Sequence, residues 1–266
     1  MKNVLVFAHD DKGQKARLQA ALDATRALGG HLTCLDVVSP PLVLTDPYAG
    51  VAVAVVIDTA REREAENRLR IERRLAAEDV AWSMRETSGD PAKEIEEAAA
   101  FADLIVVSSR PADGDPSDAG PIAGKVAIAT GRLVVAVPPE CSKFDAFGDV
   151  LVAWNGSDEA DEVLHQAQPL LERAASVELL LVNLPDAIGA AEDAAAYLSR
   201  RGIATTINQR STTGAVADAI LARVKEIGAA YIAMGAFGMG RAAEAVFGGV
   251  TRTMLMKSEV PLVLAH

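Results

Sequence analysis

The sequence predicts an α/β protein of two tandem domains, each a doubly wound, five-stranded parallel sheet. Three observations predict it. Continuous Val/Leu/Ile runs recur without polar alternation, as in strands buried on both faces. Segments of helical spacing separate them, as βαβ crossovers require. The whole order of elements returns after about 125 residues, a period too long for a solenoid repeat and suited to a duplicated domain.

Residues 4–8 read as the first strand. Ala16, Ala20, Leu22, Ala24 and Ala27 predict a helix over 15–28, stopped by Gly29 and Gly30. His31–Val38 is the second strand, broken by Pro40 and Pro41. Charges alternating at helical spacing over 58–74 predict an exposed helix with i,i+4 pairs. Residues 81–87 form a half-polar strand. A helix opens within 88–95, and 103–107 and Leu133–Val137 complete the first copy. The second copy runs through a strand at 150–154 and a helix over 159–174 with Ser157 as its N-cap. Strands at 177–182 and 204–210, a helix opening within 213–220, and strands at 231–234 and Leu262–Ala265 follow. The join lies in the polar, Pro-containing stretch 138–143, giving domains 1–140 and 146–266.

Composition narrows the function. The chain has 266 residues, 50% of them hydrophobic, with 37 Asp plus Glu against 26 Lys plus Arg and a net charge of −11. That much apolar sequence excludes wholesale disorder. The acidic balance repels phosphate backbones, so no nucleic-acid partner is expected, and an anionic small ligand must be held by local dipoles. Two cysteines, Cys34 and Cys141, are too few for a disulfide framework and are expected as buried thiols in a reducing cytosol. The N-terminal apolar run is too short for a signal segment, and no stretch reaches the ~18 apolar residues of a membrane helix. Residues 51–57 are apolar but are flanked by Gly50 and Asp58. A soluble, cytoplasmic protein without a membrane partner is expected.

Ligands of doubly wound sheets sit beyond the carboxyl ends of the strands, where strand order reverses. After the fourth strand of the second copy, five glycines fall between 235 and 249, just before a final helix. Glycines let phosphates approach the main chain, and a helix N-terminus offers unpaired N–H groups. Thr251 and Thr253 add hydroxyl donors, and Arg241 or Arg252 a guanidinium. The competing reading is a glycine-rich turn that only packs helix on sheet.

The spacing Gly235-x2-Gly238-x9-Gly248 resembles the nucleotide-binding signature of the universal stress protein family, G-x2-G-x9-G followed by Ser or Thr. Residues 248–264 resemble that family's last helix and strand, and 150–157 its first strand and loop. The first half matches in layout, so the likeness is to a tandem member. It implies a Rossmann-like, adenine nucleotide alpha hydrolase-like fold and ATP, alone or with Mg, in the second half. Gly235, Gly238, Gly248, Gly249 and Val250 would wrap ribose and phosphates, Asn155 would sit near the nucleoside, and the Val182 backbone would meet adenine. Two residues depart from the pattern. Gly249 replaces the hydroxyl residue, so a phosphate contact must come from backbone N–H or from Thr251. Asn155 replaces Asp and carries no charge. The family also dimerises through its last strand, so Leu133–Val137 and Leu262–Ala265 are expected to form an internal pseudo-dimer, with or without a homodimer.

The loop after the fourth strand of the first half looks degenerate. Ser108 stands where Gly235 stands, and Asp113, Asp115 and Asp118 would repel phosphate. Gly124-Lys125 hints at a P-loop, but Ala119 and Val126 occupy its other required positions. No catalytic constellation is apparent. His9, His31, His165 and His266 form no zinc spacing; His9-Asp10-Asp11 reads as a polar loop and helix cap. No residue is an evident base for activating water, so ATP hydrolysis is expected to be slow or absent. Three functions are therefore in view: an ATP-binding stress protein that signals by conformation or protein contact, a scaffold of the same fold without nucleotide, and an adenylating enzyme.

Overall fold

The structure is a computed structural model describing residues 1–38, 50–110, 122–238 and 249–266; within 50–62 it describes the backbone alone. The first half runs β1 (Asn3–Ala8), α1 (Gln14–Leu28), β2 (His31–Val38), α2 (Gly50–Leu75), β3 (Ala81–Ser88), α3 (Pro91–Ala98), β4 (Leu104–Ser108), α4 (Ile122–Thr130) and β5 (Leu133–Val137). The second runs β6 (Asp149–Ala153), α5 (Asp158–Gln166), α6 (Gln168–Leu171), β7 (Ser176–Val182), α7 (Ile188–Ser199), β8 (Thr205–Arg210), α8 (Val216–Ile227), β9 (Tyr231–Gly235), α9 (Gly249–Lys257) and β10 (Leu262–Ala265). The expected strands form within one residue of their predicted ends. The helix expected over 159–174 splits into α5 and α6, because Pro169 has no N–H to offer the preceding turn. Ser157 caps α5, its hydroxyl accepting from Ala160 N–H at 3.3 Å.

The strands form one ten-stranded sheet in the order β3-β2-β1-β4-β5-β10-β9-β6-β7-β8. Within each half every pairing is parallel. The halves meet where β10 runs antiparallel to β5, with Leu262 opposite Ala136 and Leu264 opposite Val134. Both strands are apolar and fully buried; either alone would be a sticky edge. The half-polar strands β3 and β8 form the outer edges instead. Helices cover both faces. Val4, Val6, Leu32 and Cys34 pack with α1 and the end of α2 on one face, and Leu5, Leu35, Val37 and Ile95 pack on the other.

The segment after β5 is less polar in its packing than its composition suggests. Phe144 and Ala146 are buried, and the Phe144 N–H donates to Asp23 Oδ2 of α1 at 3.0 Å. Cys34 is buried and Cys141 half-buried, both as free thiols. Among the described residues no helix is long and apolar enough to cross a membrane.

Helix α2 departs from the expected exposed helix. Arg68 and Glu72 form the predicted i,i+4 pair at 3.0 Å. Yet Asn67, Ile71 and Leu75 are buried, so one stripe docks on the sheet. That stripe is apolar at 71 and 75 but polar one turn earlier. Asn67 Oδ1 accepts from Gln14 Nε2 at 2.7 Å, and Glu64 Oε1 lies 3.7 Å from His9 Nδ1. Asp36, opposite Glu86 in the β2–β3 register, is 2% exposed. Burial, reinforced by Glu86, pushes the Asp36 carboxyl up to about 6. Burial, with Asp36 and Asp10 nearby, pushes Glu64 up to about 7. Burial lowers His9, so His9 and Glu64 are not an ion pair near neutrality.

The sign of the pH effect follows. The folded state holds more protons on Asp36 and Glu64 than the unfolded chain between their ordinary values and about 6 to 7. Their contribution to stability is therefore full in mild acid and is lost as pH rises through that window. His9 slopes the other way but is common to wild type and variant. Glu64→Gln should match wild type in thermal unfolding near pH 4, melt progressively higher than wild type as pH rises to about 7, and keep that difference beyond it. A constant difference across that range would refute the assignment.

Candidate functional site

The order of strands reverses between β6 and β9, and the chain opens a cleft of about 250 Å³ at their carboxyl ends. Leu180, Val182, Leu184, Val216, Ile220 and Met234 give it apolar walls; Asn155, Ser157, Glu159 and Thr251 supply polar groups. Gly235, Gly238, Gly249 and Val250 also line it. Seven of the eight residues that the family resemblance places around a nucleotide thus share one cavity. The eighth, Gly248, lies outside the described residues, as do Arg241, Asp113, Asp115, Asp118 and Ala119.

Each side chain or backbone group has a local reason for its place. Trp154 N–H donates to Leu180 O at 3.1 Å as β6 ends. Alternate residues of a parallel strand aim both backbone groups at the same neighbour. Val182, two residues on from Leu180, therefore presents its N–H and C=O to the β6 side, where the chain has already turned away. The next residue, Asn183, turns into a left-handed conformation at φ 59° and donates its N–H to Arg210 O on the β8 side. Asn155 Oδ1 accepts from Ser157 N–H at 3.2 Å, leaving its Nδ2 amide as the group it can offer a ligand. Gly249, Val250 and Thr251, the first described residues of α9, line the cleft.

Two glycines are there for different reasons. A Cβ on Gly235 would lie 2.7 Å from Ala160 N and from Glu159 C, so the end of β9 touches the first turn of α5. This supports the packing role weighed for the glycine-rich turn, although Gly235 also lines the cleft. A Cβ on Gly249 would meet nothing within 4 Å. The site therefore has room for the hydroxyl side chain of the family pattern.

Other sequence expectations are corrected. Thr253 donates its hydroxyl to Gly249 O at 2.7 Å, one turn back, and Arg252 is exposed and does not line the cleft. Neither is among the residues that line the cleft. Glu159 was missed. It is a carboxylate inside the cleft, and a Cβ on Gly238 would lie 2.8 Å from its Oε2. Trp154, 3% exposed with Nε1 bonded to Asp161 Oδ1 at 2.9 Å, was missed as well. Its position at the carboxyl end of a predicted strand was the available signal.

The matching place in the first half is filled. Val4 pairs Leu104 as Val150 pairs Tyr231, so Ser108 corresponds to Gly235, Gly13 to Glu159 and Arg17 to Val163. The close approach of helix and strand persists with the glycine moved to the helix: a Cβ on Gly13 would lie 2.7 Å from Ser108 Oγ. Arg17, 1% exposed, donates to both carboxylate oxygens of Asp11 at 2.9 Å, to Ser108 Oγ at 2.6 Å and to the carbonyls of Phe7 and His9 at 3.0 Å. Asp11 also accepts from Gly13 N–H at 2.7 Å. The polar loop expected at His9-Asp10-Asp11 is thus the anchor of a buried arginine. Among the described residues no group of His, Cys, Asp and Glu could by itself hold a metal ion.

The universal stress protein family model matches residues 1–118 and 146–266. The chain belongs to the universal stress protein family. A universal stress protein from Archaeoglobus fulgidus DSM 4304 is similar over 99% of this chain and 95% of its own, at 20% identity and TM-score 0.77. A functionally unknown protein from Pseudomonas aeruginosa PAO1 is similar over all of this chain and 92% of its own, at 17% identity and TM-score 0.58. A universal stress protein from Archaeoglobus fulgidus in complex with dAMP matches 45% of this chain and 98% of its own, at 20% identity and TM-score 0.36, a likeness too slight to transfer a ligand. No curated protein matches.

The two glycines give a direct test. Gly235→Ala should cost about 1–3 kcal/mol by overpacking against α5 backbone, whereas Gly249→Ser should stay within about 0.5 kcal/mol of wild type. Urea unfolding of the two variants checks both.

Proposed function

We propose that this universal stress protein binds ATP in the second-half cleft, within residues 146–266, and that residues 1–140 form a partner domain without nucleotide. Its output is conformational or protein–protein signalling in the cytoplasm, with little or no hydrolysis. The observation that supports this best is the convergence, in one cavity, of the outward-facing Val182 backbone and the described start of α9, Gly249 to Thr251. The first would read an adenine edge, the second a phosphate. The apolar walls between them suit a base and ribose.

Glu159 places a carboxylate in the cleft. A Mg ion carried on the phosphates would offset it, and Glu159 with the Thr251 hydroxyl are the oxygens this cleft can offer to such an ion. Mg-ATP is therefore the proposed form. The scaffold reading draws on the same carboxylate and on the hydroxyl missing at Gly249. Protein purified by gel filtration and then denatured should release adenine nucleotide, and calorimetry should show ATP binding. Absence of both favours the scaffold. Gly238→Asp, which sets a second carboxylate beside Glu159, should weaken ATP binding at least tenfold, whereas Asp115→Asn should leave it unchanged. Equal effects would mean that the ligand half is misassigned. Chelating Mg should weaken binding of wild type more than of Glu159→Gln; an equal loss would remove Glu159 from the phosphate end.

A further inference from the structure

Phe237 lies in the cleft wall, two residues past the end of β9, with its backbone in the left-handed region at φ 60°. That conformation costs an aromatic residue roughly 1–2 kcal/mol and persists only where surrounding structure enforces it. Its main chain is held on one side. Ala236 N–H donates to Ala265 O at 2.8 Å, and His266 Nδ1 donates to Ala236 O at 2.8 Å. Its ring is held by the other half of the molecule. Gly124, buried in α4, faces it so closely that a Cβ there would lie 2.5 Å from Phe237 Cζ and 2.8 Å from Cε2. Gly124 thus has a reason unrelated to a P-loop: it is the seat for this ring.

The counterpart residue crosses in the opposite direction. Two residues past Ser108 stands Arg110, as Phe237 stands two past Gly235. Arg110 Nη1 donates to Ser258 O, just beyond the C-terminus of α9, at 3.1 Å, while Nη2 pairs with Glu140 at 2.6 Å. A cation at that end complements the dipole of the helix whose other end opens on the cleft. The first half therefore touches two parts of the second-half site, the described start of the turn after β9 and the end of the last helix.

We propose that the first half is the positioning partner of the second-half cleft. By seating Phe237 on Gly124 and fixing the C-terminus of α9 through Arg110, it sets the conformation in which the cleft receives its ligand. The ligand's identity rests on the ATP reading above; the contact itself does not. The first half needs no nucleotide of its own for this role, which fits its arginine-filled counterpart site. By linkage, a ligand in the cleft would in turn steady α4.

The decisive change is Gly124→Ala in the full-length chain. Alanine favours a helix over glycine, so α4 itself is not put at risk, but the new methyl evicts the Phe237 ring. Hydrogen exchange of residues 234–238 in ligand-free protein should rise at least fivefold, and ATP affinity should fall at least fivefold. In a Phe237→Ala background the same change should add nothing to exchange, because the ring it displaces is gone. Arg110→Met should raise exchange in α9 and weaken ATP without altering 234–238. Unchanged exchange in Gly124→Ala, or equal effects of that change with and without the ring, overturns the positioning role. Raised exchange with unaltered ATP affinity overturns its link to the cleft. If wild type binds no nucleotide, the ATP reading fails, and the exchange comparison alone decides whether α4 sets the loop.

Discussion

The antiparallel pairing of β10 with β5 is the constraint on which the rest of the molecule depends. Each half ends in a short strand that is apolar on both faces, and a strand of that kind cannot remain an edge in water. Joining the two edges removes both at once and makes a single sheet with half-polar strands at its margins. The join also brings the last helix of each half against the turn following the fourth strand of the other. The cross-contacts of Phe237 with α4 and of Arg110 with α9 exist only because the strands meet there.

Duplication has led to division of labour within this frame. The two halves share strand order, register and the close approach of first helix to fourth strand. They differ in what occupies the space at the switch point. In the second half a small strand residue, Gly235, and the apolar Val163 leave a cleft lined by backbone amides. In the first, Ser108 and Arg17 fill the same place with a buried guanidinium whose donors are met by Asp11, Ser108 and two carbonyls. A buried charge of this kind is tolerable only with its partners complete, so the first half has exchanged an opening for a fixed network. The polar stripe of α2, with Glu64 and Asn67, is a different feature of the same half, since Asp36, Glu64 and Asn67 each keep a buried polar atom without a hydrogen-bond partner among the described residues.

The second-half site combines attraction and opposition. The described start of α9 and the outward Val182 backbone both face the cleft. Glu159 stands beside Gly238 and works against negative charge. In an acidic chain, with a net charge of −11, such local dipoles must act against the global field.

By itself the sequence determined the strands, their parallel order within each half and the return of the same order of elements in the second half. These depend on local signals: uninterrupted Val/Leu/Ile runs, the helical spacing of residues 15–28 and the Ser157 cap. The meeting of the two last strands was expected from the family resemblance alone, not from the residues of either strand. Only the tertiary structure decided which glycine serves packing and which leaves room, because Gly235 and Gly249 look alike until α5 is brought to one and not to the other. It alone showed that Thr253 bonds its own helix and that Glu159 faces the cleft. It alone showed that Arg17 fills the sister site and that Gly124 seats an aromatic ring more than a hundred residues away. Those facts depend on contacts between segments remote in the chain, where the spacing of residues along one segment carries no information about the other.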